Sequence, residues 1–192
     1  MRWKHARGMQ RVIQGKPSLI IDIGCAEGYY AIGLAIRLPE SRVDAYDIAA
    51  SERAICERMA IANSVEKRVF VKSDCTEQTL LAYPGGIRAL ILCDCEGAER
   101  DLITTAVAHR HVRSWFIVEC HDFIHSGTSE HLLAILSQTH NCRLIHSVSD
   151  DEKALTYFGN DIADRESAAV RSFIYGEGRG CIMNWLVATP RE

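Results

Sequence analysis

Short apolar runs alternate with helix-like patterns along most of the 192-residue chain. The run at 19–23 reads Leu-Ile-Ile-Asp-Ile, and such runs are typical of strands buried on both faces of a parallel sheet. The predicted strands are Ser18–Ile23, Arg42–Tyr46, Arg68–Lys72, Ala89–Cys93, Ser114–Glu119, Cys142–Ser147 and Ile182–Ala188. The predicted helices are Tyr29–Leu38, Ala50–Asn63, Glu77–Ala82, Ala98–His109 and Ser129–Thr139.

This βαβα order predicts an α/β fold, with a mostly parallel seven-stranded sheet and helices on both faces. The last run, Ile182–Ala188, follows no crossover helix of normal length. A parallel connection needs such a crossover, so the last strand is predicted to lie antiparallel beside its neighbour. The length suits one domain over residues 1–192.

Two segments do not fit the alternation. Residues 1–16 are basic, and we interpret them as a solvated lead-in or as a contact to an anionic substrate or partner. Residues 148–181 are longer than a simple loop and end in a glycine-rich stretch, with a helix predicted over Asp161–Phe173. They are interpreted as a lid over a site or as a plain surface insertion.

Composition excludes several classes of protein. The net charge of −3 gives no general reason to bind nucleic acid. No apolar run approaches the roughly 20 residues of a membrane span, and no signal peptide is visible, so a cytoplasmic protein is expected. The eight cysteines form no C-x-x-C pair, which argues against a zinc ribbon. Because no secretion signal is visible, they are expected to be free thiols.

The turn after the first predicted strand carries the main functional signal. It reads Gly24-Cys25-Ala26-Glu27-Gly28 and leads into a helix, which predicts free backbone N–H groups and a positive helix end at the mouth of a crevice. A dinucleotide-binding turn, G-x-G-x-x-G, would need glycine where Ala26 and Tyr29 stand. The turn is therefore expected to bind a different nucleotide-like cofactor.

The G-x-A-x-G pattern, with Asp22 two residues before it, resembles the first motif of class I S-adenosylmethionine (SAM) methyltransferases. The resemblance implies a Rossmann-like methyltransferase fold and a turn that wraps the methionine end of SAM. The binding residues that it implies here are Asp22, Gly24, Cys25, Ala26 and Gly28.

Acidic residues follow the next two predicted strands. Asp47, followed by Ile48, lies 23 residues after Gly24, close to the distance at which an acid reaches ribose hydroxyls. Asp74, followed by Cys75, can accept from an adenine amine. Because ligands of doubly wound sheets bind beyond the carboxyl ends of the strands, these residues are predicted to surround one adenosyl group.

The fourth and fifth strands end in two further motifs. Asp94-Cys95-Glu96-Gly97-Ala98-Glu99 and Glu119-Cys120-His121 resemble the FkbM-type family of SAM-dependent methyltransferases, over roughly residues 18–125. That resemblance implies O-methylation of a hydroxyl on a small molecule or a glycan. No N-P-P-Y or D-P-P-Y, the signature of amine methylation on bases and on glutamine, follows strand four.

A hydroxyl is a poor nucleophile, so a base is expected to assist the transfer. His121 is the first candidate, with a satisfied loop histidine as the alternative; Asp94 and Glu119 can orient it or accept the proton themselves. Asp94 can instead hold the methionine amine. Glu99 is interpreted as an acid that favours a helix start.

A divalent metal is an open alternative at the same place. Asp94, Glu119, His121 and Asp122 can hold Mg²⁺ or Mn²⁺ and lower the pKa of the acceptor hydroxyl. Two other functions stay open: a nicotinamide-dependent oxidoreductase, and a non-catalytic SAM-binding partner subunit. The sequence also leaves open whether the chain forms a homodimer.

Overall fold

The computed structural model describes residues 12–156, 165–175 and 182–191. The strands are β1 (Leu19–Ile23), β2 (Arg42–Tyr46), β3 (Val69–Lys72), β4 (Ala89–Cys93), β5 (Trp115–Cys120), β6 (His140–His146) and β7 (Asn184–Pro190). The helices are α1 (Tyr29–Arg37), α2 (Ala50–Ala62), α3 (Glu77–Ala82), α4 (Glu99–Leu102), α5 (Thr105–Arg110), α6 (Thr128–Leu136), α7 (Asp150–Thr156) and α8 (Ala168–Tyr175).

The seven strands form one sheet in the order β3-β2-β1-β4-β5-β7-β6. The pairings among β1 to β5 are parallel, and β7 runs antiparallel to both β5 and β6. The sequence-based prediction of a mostly parallel sheet with an antiparallel last strand is therefore confirmed. Insertion of β7 between β5 and β6 places β6 at the edge.

Apolar residues of the central strands fill a core on each face of the sheet. In β1, Ile20 belongs to the core of one face and Ile21 to the core of the other. All five residues of β1 and of β4 are buried, as their continuous apolar sequences predict for central parallel strands. The buried charge of Asp22 in the middle of β1 is the exception to this pattern.

The strand register brings the carboxyl ends of the central strands to one edge. Ile23 of β1 pairs with Tyr46 of β2 and with Cys93 of β4. Tyr46 pairs with Lys72 of β3, and Cys93 pairs with Val118 of β5. One row further on, the same edge carries Gly24, Asp47, Ser73, Asp94 and Glu119.

Two predicted elements differ from the structure. The single helix predicted over Ala98–His109 is broken into α4 and α5, because the Thr104 hydroxyl accepts from the Val107 N–H and starts a new helix. The segment 148–181 contains α7, which was not predicted. It also contains α8, which overlaps the end of the helix predicted over Asp161–Phe173 and extends two residues beyond it. Residues 161–164, the glycines after Tyr175 and most of the basic lead-in lie outside the described residues.

None of the helices that the structure describes is both long enough and apolar enough to cross a bilayer. The seven cysteines at described positions are free, as expected from the lack of a paired spacing.

Candidate functional site

The turn after β1 packs against the end of β4 through a glycine. Gly24 has φ +81°, and a Cβ added to it would lie 1.8 Å from the carbonyl oxygen of Asp94. Gly28, at the start of α1, has φ +94°, and its Cβ would lie 2.7 Å from Sγ of Cys56. Both positions need glycine, since a side chain would meet strain and a clash together.

The backbone N–H groups of this turn are not free, contrary to the sequence-based expectation. Those of Gly24 and Cys25 both donate to the carbonyl of Tyr46, at 2.9 Å each. The N–H of Ala26 donates to the Asp47 carboxylate, also at 2.9 Å, and that of Gly28 donates to the carbonyl of Cys25. The turn is thus tied to β2, and these four amides do not form an anion-binding cradle.

Asp47 follows β2 and holds two backbone segments. Its Oδ2 accepts from Ala26 in the turn, and its Oδ1 accepts from the Ala49 N–H at 2.8 Å, just before α2. Each carboxylate oxygen can accept more than one hydrogen bond, so Asp47 can still receive ligand hydroxyls. The neighbouring Ile48 side chain is 85% exposed, which leaves an apolar surface open beside the carboxylate.

The two predicted residues after β3 differ in their surroundings. Asp74 is exposed and accepts from the Ser73 hydroxyl at 3.1 Å. Cys75 packs partly against the core, and burial raises the pKa of its thiol to about 12. Asp74 is therefore available to a ligand at this edge, and Cys75 supplies an uncharged, partly buried surface next to it.

Asp22 is the buried acid beneath the turn. Its side chain is fully buried, and neither carboxylate oxygen has a hydrogen-bond partner of normal geometry among the described residues. Burial, and after it the charge of Asp94, raises the pKa of Asp22 to about 7, against a smaller opposing effect of the Ala31 N–H. A positive charge bound nearby would compensate this carboxylate.

Asp94, Glu119 and His121 converge at the ends of β4 and β5, as predicted. One ligand atom from each of the three lies within 4.8 Å of the others. His121 Nε2 is 3.6 Å from Oδ1 of Asp94 and 3.3 Å from Oε2 of Glu96. The His121 ring is almost wholly buried, whereas the Asp94 side chain is partly exposed.

The carboxylate that orients His121 is Glu99, which sequence reasoning treated as a helix-start acid. Glu99 is fully buried, and its Oε1 accepts from His121 Nδ1 at 2.6 Å and from the Gly97 N–H at 3.1 Å. The expectation that Asp94 or Glu119 orients His121 is wrong, because the partner of Nδ1 is Glu99. The signal lay in the D-x-E-G-A-E motif itself, whose last acid is Glu99.

The charges of the cluster affect each other. Burial alone would lower the pKa of His121, but the Glu99 hydrogen bond and the charges of Glu99, Glu96 and Asp94 outweigh it and raise that pKa above its usual value. Burial opposes the ionised form of Glu99, yet the His121 and Gly97 hydrogen bonds hold the pKa of Glu99 below its usual value. The hydrogen bond between them therefore favours the ionised form of Glu99 and strengthens His121 as a proton acceptor.

Two other buried histidines have structural environments. His111 Nε2 lies 2.9 Å from the Leu80 carbonyl, and His140 Nε2 lies 3.2 Å from the His111 carbonyl. Burial lowers the pKa of both. His121 differs from them because its neighbours are carboxylates rather than backbone carbonyls.

Asp122, the fourth candidate metal ligand, is hydrogen-bonded to α6 and β7 instead. Its Oδ1 accepts from the Ser129 N–H at 2.9 Å, and its Oδ2 accepts from the Asn184 amide at 2.8 Å. These bonds tie the end of β5 to α6 and β7. Asp122 is not part of the group of side chains that could hold a metal ion.

No family model matches the chain. A stretch of 68 residues is 38% identical to the release factor glutamine methyltransferase of Chlorobaculum tepidum, covering 35% of this chain and 23% of that protein. Cofactor-bound Rv0187 from MTB superposes with a TM-score of 0.67 and 14% identity, covering 100% of this chain and 81% of that one. The Bacillus cereus O-methyltransferase in complex with SAH (S-adenosylhomocysteine) gives a TM-score of 0.63 and 11% identity, covering 100% and 82%.

The fold is therefore the Rossmann-like fold of class I methyltransferases, as the sequence predicted. Methyltransferases among the structural neighbours share this fold, and the relative matched by sequence is also named as a methyltransferase. The match to the curated relative spans less than a quarter of that protein's length.

Replacement of Gly24 by Ala tests the close contact with Asp94. We expect Gly24→Ala to lower the free energy of unfolding by about 3 kcal/mol or more, because strain at positive φ adds to the clash. Gly33→Ala is the matched control. Gly33 lies within α1, and a Cβ added to it would have no neighbour within 4 Å. Denaturant unfolding should show Gly33→Ala unchanged or stabilised by about 1 kcal/mol. Equal effects of the two changes would contradict the packing described here.

Asp22 should make stability depend on pH. Its pKa is about 7 in the folded protein and near the ordinary 3.8 in the unfolded chain. The unfolded chain releases this proton first, so stability should fall as pH rises and level off above the folded pKa. From about pH 5 to about pH 8 the wild type should lose about 2–3 kcal/mol more than Asp22→Asn.

The measurement is denaturant unfolding at several pH values with a chelator present. Asp101→Asn, which removes an exposed acid on α4, should keep the pH dependence of the wild type. Parallel pH curves for the wild type and Asp22→Asn would show that Asp22 does not hold its proton.

Proposed function

We propose that this chain is a SAM-dependent methyltransferase that transfers the methyl group to a hydroxyl oxygen of a small molecule or a sugar. The observation that carries the proposal is the chemistry of the turn after β1. Four of its five amides, those of Gly24, Cys25, Ala26 and Gly28, already donate within the protein, so it offers a pyrophosphate few donors. The carboxylates around it favour a cationic ligand instead.

The positive charges of SAM fit these surroundings. Asp22 lies buried beneath the turn and Asp94 lies against Gly24, so both carboxylates are near the place proposed for the methionine end. Burial is the main cause of the raised pKa of Asp22, and an ammonium and a sulfonium group would compensate both the burial and the added repulsion from Asp94. A nicotinamide dinucleotide would bring two further negative charges to the same turn.

The adenosyl end is placed at β2 and β3. Asp47 has lone pairs left for the ribose hydroxyls, and the exposed Ile48 side chain offers a flat apolar contact to the adenine. Asp74, at the same edge, can accept from the adenine amine, with Cys75 beside it. These residues are the ones predicted from the sequence.

The acceptor side is placed at Asp94, Glu119 and His121. When bound, SAM supplies a methyl group that its sulfonium already activates, and the chain has to align an oxygen behind it and exclude water. Transfer forms the O–CH₃ bond, breaks the S–CH₃ bond, leaves SAH and releases the hydroxyl proton. A member of this cluster accepts that proton: His121 through Nε2, or a neighbouring carboxylate.

The choice of a hydroxyl rests on the two motifs at the ends of β4 and β5. Their resemblance to FkbM-type methyltransferases supports O-methylation. The curated relative is named for glutamine, yet this chain has Asp94-Cys95-Glu96-Gly97 where an amine-methylating N-P-P-Y would stand. Carboxylates at that place can act as a base, and a hydroxyl acceptor needs a base to remove its proton.

Cofactor binding is the first test. SAM and SAH should each raise the melting temperature of the protein and NAD should not, as measured by thermal shift and by calorimetric titration. Ile48→Ser should weaken SAM binding about fivefold, because it removes roughly 1 kcal/mol of apolar contact.

Ile61→Ser is the matched control, since Ile61 is an exposed isoleucine on α2. It should bind SAM as the wild type does. Stabilisation by NAD alone would overturn the proposal in favour of an oxidoreductase.

Methyl transfer is the second test. Isotope-labelled SAM, incubated with a panel of hydroxylated small molecules and sugars, should give a labelled product that resists mild alkali, as an ether does and an ester does not. Asp94→Asn should lower the rate about 100-fold, and Asp101→Asn, on the exposed side of α4, should leave it unchanged.

Folding of both variants would be checked by circular dichroism. SAM binding without transfer to any acceptor would favour a partner subunit, and unchanged turnover in Asp94→Asn would remove this residue from the catalytic assignment.

A further inference from the structure

We infer that Asp94, Glu119 and His121 form a binding site for a divalent cation. The inference starts from the one nitrogen of His121 that its surroundings do not satisfy. Nε2 is buried and has no hydrogen-bond partner among the described residues. The atoms facing it are carboxylate oxygens, of Glu96 at 3.3 Å and of Asp94 at 3.6 Å.

A proton on Nε2 would satisfy this arrangement poorly. The distance to Asp94 is beyond the range of an N–H···O bond, and the geometry toward Glu96 does not make one either. Without the proton, a nitrogen lone pair would face carboxylate oxygens. In neither state does Nε2 have a well-placed partner among the described residues, and a cation between the nitrogen and the oxygens would supply one.

The short distances from Nε2 to the carboxylate oxygens are those expected between two ligands of one metal ion. Bonds of about 2.0–2.2 Å from nitrogen and oxygen to a tetrahedral or octahedral ion place neighbouring ligand atoms roughly 3.0–3.5 Å apart. The measured 3.6 Å from Nε2 to Asp94 is close to that value. The ligand atoms of the whole group lie within 4.8 Å of one another, so the carboxylates would have to move closer to share one ion with the histidine.

The hydrogen bond made by the other ring nitrogen of His121, Nδ1, is typical of a metal-binding histidine. Glu99 Oε1 accepts from Nδ1 at 2.6 Å, which fixes the tautomer and directs the lone pair of Nε2 toward Asp94. Metal-ligating histidines commonly donate their other nitrogen to a carboxylate in this way. Glu99 is itself held by the Gly97 N–H, so the ring cannot easily turn.

The donor set narrows the class of ion. One imidazole nitrogen and two carboxylate oxygens suit Mn²⁺, Fe²⁺ or Zn²⁺, whereas Ca²⁺ and Mg²⁺ prefer oxygen donors throughout. With the cation bound, Nε2 is a ligand, and the proton-accepting role in methyl transfer falls to a carboxylate of the cluster. That last consequence rests on the proposed function; the binding itself does not.

Mn²⁺ is the probe that tests the site, in the full chain and without SAM or acceptor. Calorimetric titration should show one Mn²⁺ bound. Electron–nuclear double resonance on protein with ¹⁵N-labelled histidine should show the hyperfine coupling of a single imidazole nitrogen. This spectrum needs no variant. Its absence, or a failure of the wild type to bind Mn²⁺, would overturn the proposal.

Two matched pairs of variants locate the ion. Asp94→Asn should weaken Mn²⁺ binding at least about tenfold, and Asp74→Asn, an exposed acid at the same edge, should not. His121→Asn should abolish the imidazole coupling, and His125→Asn, an exposed histidine four residues on, should keep it. Equal weakening by Asp94→Asn and Asp74→Asn would show non-specific attraction to acidic residues and contradict the site.

The outcome separates this inference from the proposed function. Mn²⁺ binding with the imidazole coupling, in a protein that does not bind SAM, would contradict the methyltransferase proposal and support the cation site. SAM binding and methyl transfer that persist in chelator, in a protein with no affinity for Mn²⁺, would do the reverse.

Discussion

The close approach of Gly24 to the backbone of Asp94 is the contact on which the rest of the site depends. It closes the end of β1 onto the end of β4, where the Asp94 N–H also donates to the Ile23 carbonyl at 2.9 Å. On the other side, Tyr46 receives two N–H groups from the same turn. Three strand ends are thus fixed at one point, and the acids that follow them cannot separate.

This convergence has an electrostatic cost, which the chain meets in two different ways. Asp22, enclosed by apolar neighbours, is held near its neutral form, with a pKa of about 7. Glu99 is equally buried but ionised, because His121 and the Gly97 N–H donate to it. A buried carboxylate without such donors is stable only when protonated or when a cation binds beside it. Asp22, which lacks such donors, therefore favours a positively charged ligand.

The sequence was enough to predict the sheet and the positions of the acids, because both follow from local patterns. Continuous apolar runs identify central parallel strands, and in such sheets ligands bind beyond the strand ends. The availability of the turn amides was predicted wrongly, since their acceptor, the Tyr46 carbonyl, lies on another strand 22 residues after Gly24. Nothing local to the turn shows that bond.

Glu99 was misread for a related reason. An acid at the start of a helix has the same local sequence whether its side chain faces solvent or turns inward. Here Gly97, with φ +110°, and Glu96, with φ +54°, bend the chain so that Glu99 enters the core. Its partner His121 is 22 residues away, on the following strand. Pairing across strands at such separations is a property of the fold and not of the motif.

Asp94 connects the two halves of the site. Its backbone lies against Gly24, where the cofactor is proposed, and its carboxylate lies toward His121, where the acceptor is proposed. Its charge contributes to the raised pKa of Asp22 on one side and to that of His121 on the other. Two cations that share this carboxylate repel each other and divide its attraction, so binding at one site should weaken binding at the other.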